Sequence, residues 1–173
     1  MIDTTVIVQH SLMYGGVYAF VLAGLILFSV WLNVEIWLND FPDAVKVRFG
    51  PMSVKAKKQR AWFSLIFFPV VFGFPLVALG QLAGEIGNVS FAAAFLTTFI
   101  MVFLFNLADL LIVDWFFGVL LQPSFFILPG TADMTEYHNY GYQLRYHFRA
   151  FLIGIGFCLV MGLVMGGVGS LIW

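Results

Sequence analysis

The chain has 173 residues, 62% of them hydrophobic and only 10% charged, with a net charge of −1. Soluble domains carry about 25% charged and 45–50% apolar residues, so a mean hydropathy of +0.99 excludes a water-soluble fold. So small a net charge offers no field to gather nucleic acid. The single cysteine, Cys158, excludes an intrachain disulfide, a CxxC redox pair and a thiolate metal cluster. Set in an apolar stretch, it reads as a small packing residue. No motif implies a cofactor.

The opening "MIDTTVIVQHSLMYGG" has no basic region before its apolar run and no cleavage site after it. It reads as the start of a retained helix rather than a signal peptide. A bilayer core of about 30 Å needs about 20 apolar helical residues. Four segments meet that: roughly 13–38, 61–83, 91–121 and 148–172. The expectation is one all-α transmembrane domain over 1–173, an integral membrane four-helix bundle. Lipid cannot satisfy an open backbone, and no segment alternates as a barrel strand would.

In the first span Gly15, Ala19 and Ala23 recur every fourth residue, a flat stripe suited to close helix packing. Glu35 and Asn33 stand near its far end, and His10 near its start reads as an interfacial residue. The connection that follows holds Lys46, Arg48, Lys55, Lys57, Lys58 and Arg60. The other two basic residues, Arg145 and Arg149, lie between the third and fourth spans; the short "GEIGNVS" and both termini carry none. The positive-inside rule then puts both basic connections in the cytoplasm and both termini outside a cytoplasmic (inner) membrane. Trp37, Trp62 and Trp115 fall at the inner ends, and Tyr14, Tyr18 and Trp173 at the outer ends, as interfacial belts would. The run "VKAKKQR" reads as a topology signal and solvated face, with anionic lipid headgroups as the alternative.

The second span holds Pro69 and Pro75 around Gly73, which predicts a kink. The third is long: 31 helical residues rise about 46 Å, so it must tilt or protrude. It also carries "FNLADLLIVDW", placing Asn106, Asp109 and Asp114 inside an apolar run. At about 100° per residue, Asn106 and Asp109 lie about 60° apart and Asp109 and Asp114 about 140° apart. All three fit one inward face, at the depth of Glu35. A carboxylate there costs about 2.5–3.5 kcal/mol on insertion scales unless it is answered. Arg145 and Arg149, four residues apart, are the expected charge partners.

Residues 122–130, "QPSFFILPG", are too short to span and read as an interfacial or re-entrant piece ending in a Pro-Gly turn. Asp133, with Glu136 three residues on, has the spacing of a helix cap. His138 and His147 are weak metal candidates, because on one continuous helix they point in opposite directions; they converge only if Gly141 breaks it. In the last span Gly162 and Gly166 form a GxxxG. Such stripes serve packing inside one bundle, or docking in a homo-oligomer or larger membrane complex. "VEIW" (34–37) and "VDW" (113–115) suggest a two-hairpin repeat with Glu35 and Asp114 equivalent.

The stretch 105–149, from "NLADLLIVDW" through "QPSFFILPGT" to "YGYQLRYHFRAF", resembles a group of small bacterial membrane proteins with an Asp-Trp, a proline and a Pro-Gly-Thr segment before the last helix. It covers about a quarter of the chain. The resemblance implies a bacterial origin and no particular chemistry. The leading functional expectation is a small transporter, channel or sensor with Glu35, Asn106, Asp109 and Asp114 as ligand or ion-binding groups. A non-catalytic accessory subunit is the alternative, and a membrane enzyme acting on a lipid or isoprenoid the third. Membrane lipid is the expected surrounding partner.

Overall fold

A computed structural model describes residues 4–173. Among them every regular element is helical. Helix α1 (Thr4–Asn33) runs into a 3-10 turn, Val34–Asp40; α2 (Asp43–Phe49) is short; α3 spans Val54–Ile86 and α4 Phe91–Ala108. The α4 rod continues without a break as a π-helix, Asp109–Leu121, and α5 (Tyr140–Ile172) closes the chain. Four helices are long and apolar enough to cross a membrane: Thr4–Asp40, Val54–Ile86, Phe91–Leu121 and Tyr140–Ile172. Three run well beyond their expected apolar windows at one or both ends, because a helix does not stop where the lipid does.

The ends are set by local chemistry. Ser53 and Ser90 cap α3 and α4, their hydroxyls accepting from Ala56 N–H at 3.1 Å and Ala93 N–H at 3.2 Å. Asn139, not Asp133, caps α5 by accepting from Tyr142 N–H at 3.0 Å. The helix passes through Gly141 unbroken. Asp133 instead takes the Arg48 guanidinium at 3.1 and 3.2 Å, pinning α2 to the connection before α5. In α2 the Lys46 ammonium lies 2.7 Å from Asp43, and this hydrogen bond holds the exposed Asp43 carboxyl below its ordinary value. The π-helix stops at Gln122, which is left-handed (φ 40°), because the following Pro123 disfavours a helical residue before it.

Helix α4 is the central rod, packed against α1 on one side and α5 on the other. At the end opposite the basic connections all four long helices meet. The core there includes Tyr18, Leu22, Leu79, Leu82, Met101 and Cys158. Glycines make that closeness possible. A Cβ on Gly162 would lie 2.9 Å from the Phe95 ring, and one on Gly166 2.9 Å from Phe91. Gly15 likewise faces Leu104 and Met101 of α4. Ala19 and Ala23, from the same stripe, are buried. The stripes at Gly15 and at Gly162 and Gly166 are therefore used inside the bundle.

Helix α3 stays helical through both prolines. Pro75 has no N–H to give to the Val71 carbonyl one turn back. The Tyr18 hydroxyl, fully buried, donates to that carbonyl at 3.1 Å. Tyr18 is thus a core residue bridging α1 and α3, not part of an interfacial belt. His10 is also buried rather than interfacial. Its Nε2 lies 2.9 Å from the Ala78 carbonyl and its Nδ1 3.1 Å from the Glu85 carboxylate.

The connection 122–139 folds against the bundle end. Leu128 is fully buried, and Phe125, Phe126 and Ile127 pack on a second core of Ile26, Val30, Val34, Val45, Val113 and Tyr137. The short segment is thus packed as a cap on the bundle end.

Tyr18→Phe should cost about 1–3 kcal/mol, the penalty for orphaning a buried carbonyl. In a Pro75→Ala background, where residue 75 regains its N–H, the same change should cost much less. Reversible unfolding in mixed micelles reads the double-mutant cycle.

Candidate ligand-binding cavity

At the end that carries the basic connections, α1 and α5 stand apart in front of the π-helix. The gap is a cavity of about 520 Å³. One wall is Ile26 and Val30 of α1 with Val34 and Trp37 of the 3-10 turn, and Asp40, Phe41 and Pro42 stand at the mouth. The π-helix supplies Asp109, Val113, Asp114 and Gly118. Helix α5 supplies Gln143, Tyr146, His147, Arg149, Ala150 and Ile153, while Phe126 and Tyr137 come from the cap.

The π-winding determines which side chains share this wall. An i→i+5 ladder puts more residues in each turn than an α-helix does, and the Gln122 N–H bonds back to the Phe117 carbonyl at 3.0 Å in that pattern. Positions five apart come onto one side of the coil, as positions four apart do on an α-helix. Asp109 and Asp114, about 140° apart on an α-helix, instead face the same cavity. The wider coil also shortens the segment, which relieves part of the length expected of the third span.

The two carboxylates differ. Asp114 Oδ2 lies 3.0 Å from His147 Nδ1, and His147 Nε2 lies 3.2 Å from Gln143 Oε1. Gln143 donates in turn to the Glu136 carbonyl at 2.9 Å. His147 is thereby oriented through both nitrogens, as a positioned proton carrier or ligand contact would be. Asp109 has no hydrogen-bond or ion-pair partner among the described residues. It lies deep in the protein, and the surface it retains belongs to the cavity wall. Asp40, exposed at the mouth, is the third carboxylate.

Several expected site residues lie elsewhere. Glu35 faces away from the cavity and receives the backbone N–H and the hydroxyl of Ser53, the latter at 2.9 Å, tying the end of α1 to the start of α3. Asn33 accepts from Glu35 N–H and donates to Gln59 at 2.6 Å. Glu35 and Asp114 are therefore not equivalent, and the hairpin repeat has no counterpart in their roles. Asn106 donates to the Phe151 carbonyl at 3.1 Å and fills the notch left by Gly154, so it binds α4 to α5.

The expected arginine partners do not pair with the acids. Arg145 Nε donates to the Gly141 carbonyl of its own helix at 3.0 Å. Arg149 lines the cavity without an ion pair within 4 Å among the described residues. His147 takes the place given to them. His138 is exposed and outside the cavity, so the two histidines do not converge. Among the described residues no three His, Cys, Asp or Glu side chains are gathered as a metal-ligand set.

Asp40, Gln143 and the phenylalanines of the lining, Phe41 and Phe126, are additions to the residues singled out from the sequence. Asp40 had a signal: a polar Asn39-Asp40 pair between Trp37 and Pro42. Comparison with family models, curated proteins and solved structures finds no match to the chain.

Asp114→Asn should lower stability by about 1.5–3 kcal/mol, the range for a hydrogen bond to a charged group. Asp109→Asn, which removes an unanswered carboxyl, should not lower it. Thermal unfolding of both variants in one detergent tests the contrast.

Proposed function

We propose that the chain is a small multi-pass transporter or sensor of a bacterial cytoplasmic membrane, with its working site in the cavity at the basic end. The single observation that carries this reading is the unanswered Asp109 carboxyl in the wall of a 520 Å³ cavity. Ionisable residues at membrane depth cost too much to be kept without use, and they mark ligand, ion or proton sites. The cavity has the size of a small-molecule site, with a mostly apolar lining and a few polar groups. It is open at one end and sealed at the other by the four-helix core around Tyr18, Leu22, Leu79 and Met101. That is the form of one state of an alternating-access cycle. Charge distribution supports the orientation: basic connections in the cytoplasm, both termini outside, and a cavity that opens inward.

In sealed liposomes carrying an internal pH dye, the wild-type chain should dissipate an imposed proton gradient faster than empty liposomes. Asp109→Asn combined with Asp114→Asn should return the rate to that of empty liposomes. A double variant as fast as the wild type, or a wild type no faster than empty liposomes, removes the transport reading.

The accessory-subunit reading keeps one observation. Gly16 and Gly24 of α1 are exposed, with no atom within 4 Å of where a Cβ would be. They flank the exposed Phe20 on one stripe, two notches either side of a ring that a partner helix could engage. Native mass spectrometry after gentle extraction should show a larger assembly if that face is occupied; a lone monomer counts against it.

A further inference from the structure

We infer that the ligand of the cavity is a small organic cation, an amine or quaternary ammonium bearing an apolar or aromatic group; this rests on the cavity being the working site. Three observations converge on it. The first is charge. The lining holds Asp40, Asp109 and Asp114 against one permanent cation, Arg149. His147 is committed to Asp114 at 3.0 Å, and Arg60 and Lys46, outside the lining, act on Asp40, which leaves Asp109 to face whatever enters. An anion would meet three carboxylates in a partly desolvated site, where like charges are costly.

The second observation is the lack of a partner for Asp109. A carboxyl deep in the protein, with an open cavity in front of it, is half of an ion pair. A neutral ligand would leave it unanswered and would gain nothing from its presence. A bare metal ion is a poor match, because no three acidic, histidine or cysteine side chains are gathered to replace its water shell among the described residues.

The third is the aromatic lining. Trp37, Phe41, Phe126, Tyr137 and Tyr146 surround the same space. Aromatic faces attract ammonium groups within about 6 Å, most strongly when desolvated. Apolar Ile26, Val30, Val34 and Ile153 complete the wall and suit the hydrocarbon part of such a molecule. Quaternary ammonium recognition combines these two elements, a carboxylate and an aromatic cage.

The test uses probes of matched shape and fixed charge. Radiolabelled benzyltrimethylammonium is dialysed to equilibrium against the purified full-length chain in detergent. Labelled neopentylbenzene, its uncharged isostere, and 3-phenylpropionate, an anion of similar size, are dialysed in the same way and also serve as competitors. Saturable binding of the cation is expected, with at least tenfold weaker competition by either comparator. Asp109→Asn should weaken binding tenfold or more. Glu85→Gln, the same change in charge at the other end of the bundle, should leave it unchanged. Ala150→Trp, at an exposed position of the cavity wall, should block it.

Each variant is checked for a monodisperse elution profile before dialysis. Cation binding that is indifferent to Asp109→Asn overturns the inference. So does preferential binding of the anion or the neutral isostere; if Ala150→Trp blocks that binding, the cavity survives as a site and only the ligand class is wrong. Absence of binding by all three probes overturns the class as well, while the proton-flux measurement decides the transport reading separately.

Discussion

Inside a membrane, every polar group that leaves water must find its answer within the protein. The bundle is arranged around that constraint. Pro75 removes a helix hydrogen bond, and Tyr18 crosses from α1 to satisfy the exposed carbonyl of Val71. His10 reaches the Ala78 carbonyl with one nitrogen and Glu85 with the other. Asn106 gives its amide to the Phe151 carbonyl across the α4–α5 seam. Asp114 finds His147. Each of these bonds joins two elements, so satisfying the polar group also sets which helices are neighbours. Among the described residues the buried hydroxyls of Thr97 and Thr98 on α4 also lack a partner; Asp109 is the ionisable departure, and it stands where the packing opens.

The two ends of the molecule solve packing in opposite ways. At the sealed end, small residues let backbones approach: Gly15 under Met101, Gly162 and Gly166 under the phenylalanine ladder of α4. Phe91, Phe95, Phe99 and Phe103 stack one turn apart along that seam, with centroids 6.0–6.4 Å apart. At the open end no α5 glycine packs on the π-helix, α4 rewinds into that wider coil, and large aromatic side chains from the cap line the gap. Close helix packing in lipid depends on such small-residue contacts. Where they cease on α5 and a wider coil begins on α4, a cavity is the natural result.

Hydropathy was enough to place the four long helices, because a run of about 20 apolar residues has few other uses. The basic residues located the end with the long connections. The site was legible only in part. Asp109 and Asp114 stood out because charge is rare in such a run, but their shared orientation depends on i→i+5 hydrogen bonding, which no side-chain pattern announces. Glu35 drew attention for the same reason of charge. Its role as an acceptor for Ser53 follows from how the α1 end meets α3, a tertiary relation. On α5, two pairs lie four residues apart, Arg145 with Arg149 and Gln143 with His147. Formal charge favoured the arginines as partners for the acids, yet the rotation of the helix brings His147 to Asp114. Asp133 and Glu136 had the spacing of a cap but were outcompeted by Asn139, which stands directly before the first helical residue.

The tolerance of Asp109 follows from the character of the space before it. A dry void of about 520 Å³ would forfeit dispersion contacts on every wall and would favour collapse. A cavity bordered by Asp40, Asp109, Asp114, Gln143 and Arg149 is instead wide and polar enough to hold water with several hydrogen-bonding partners. Water held there would keep α1 and α5 apart and answer the Asp109 carboxyl. A ligand that enters must displace that water, and it gains only if it replaces what the water supplied: donors, or positive charge, at Asp109, and apolar contact at Trp37, Phe126 and Ile153. The same accounting explains why the two carboxylates are not interchangeable. Asp114 spends its charge on His147 and holds α5 against the π-helix, so it stabilises the wall; Asp109 makes no such bond and is free to meet what the cavity admits.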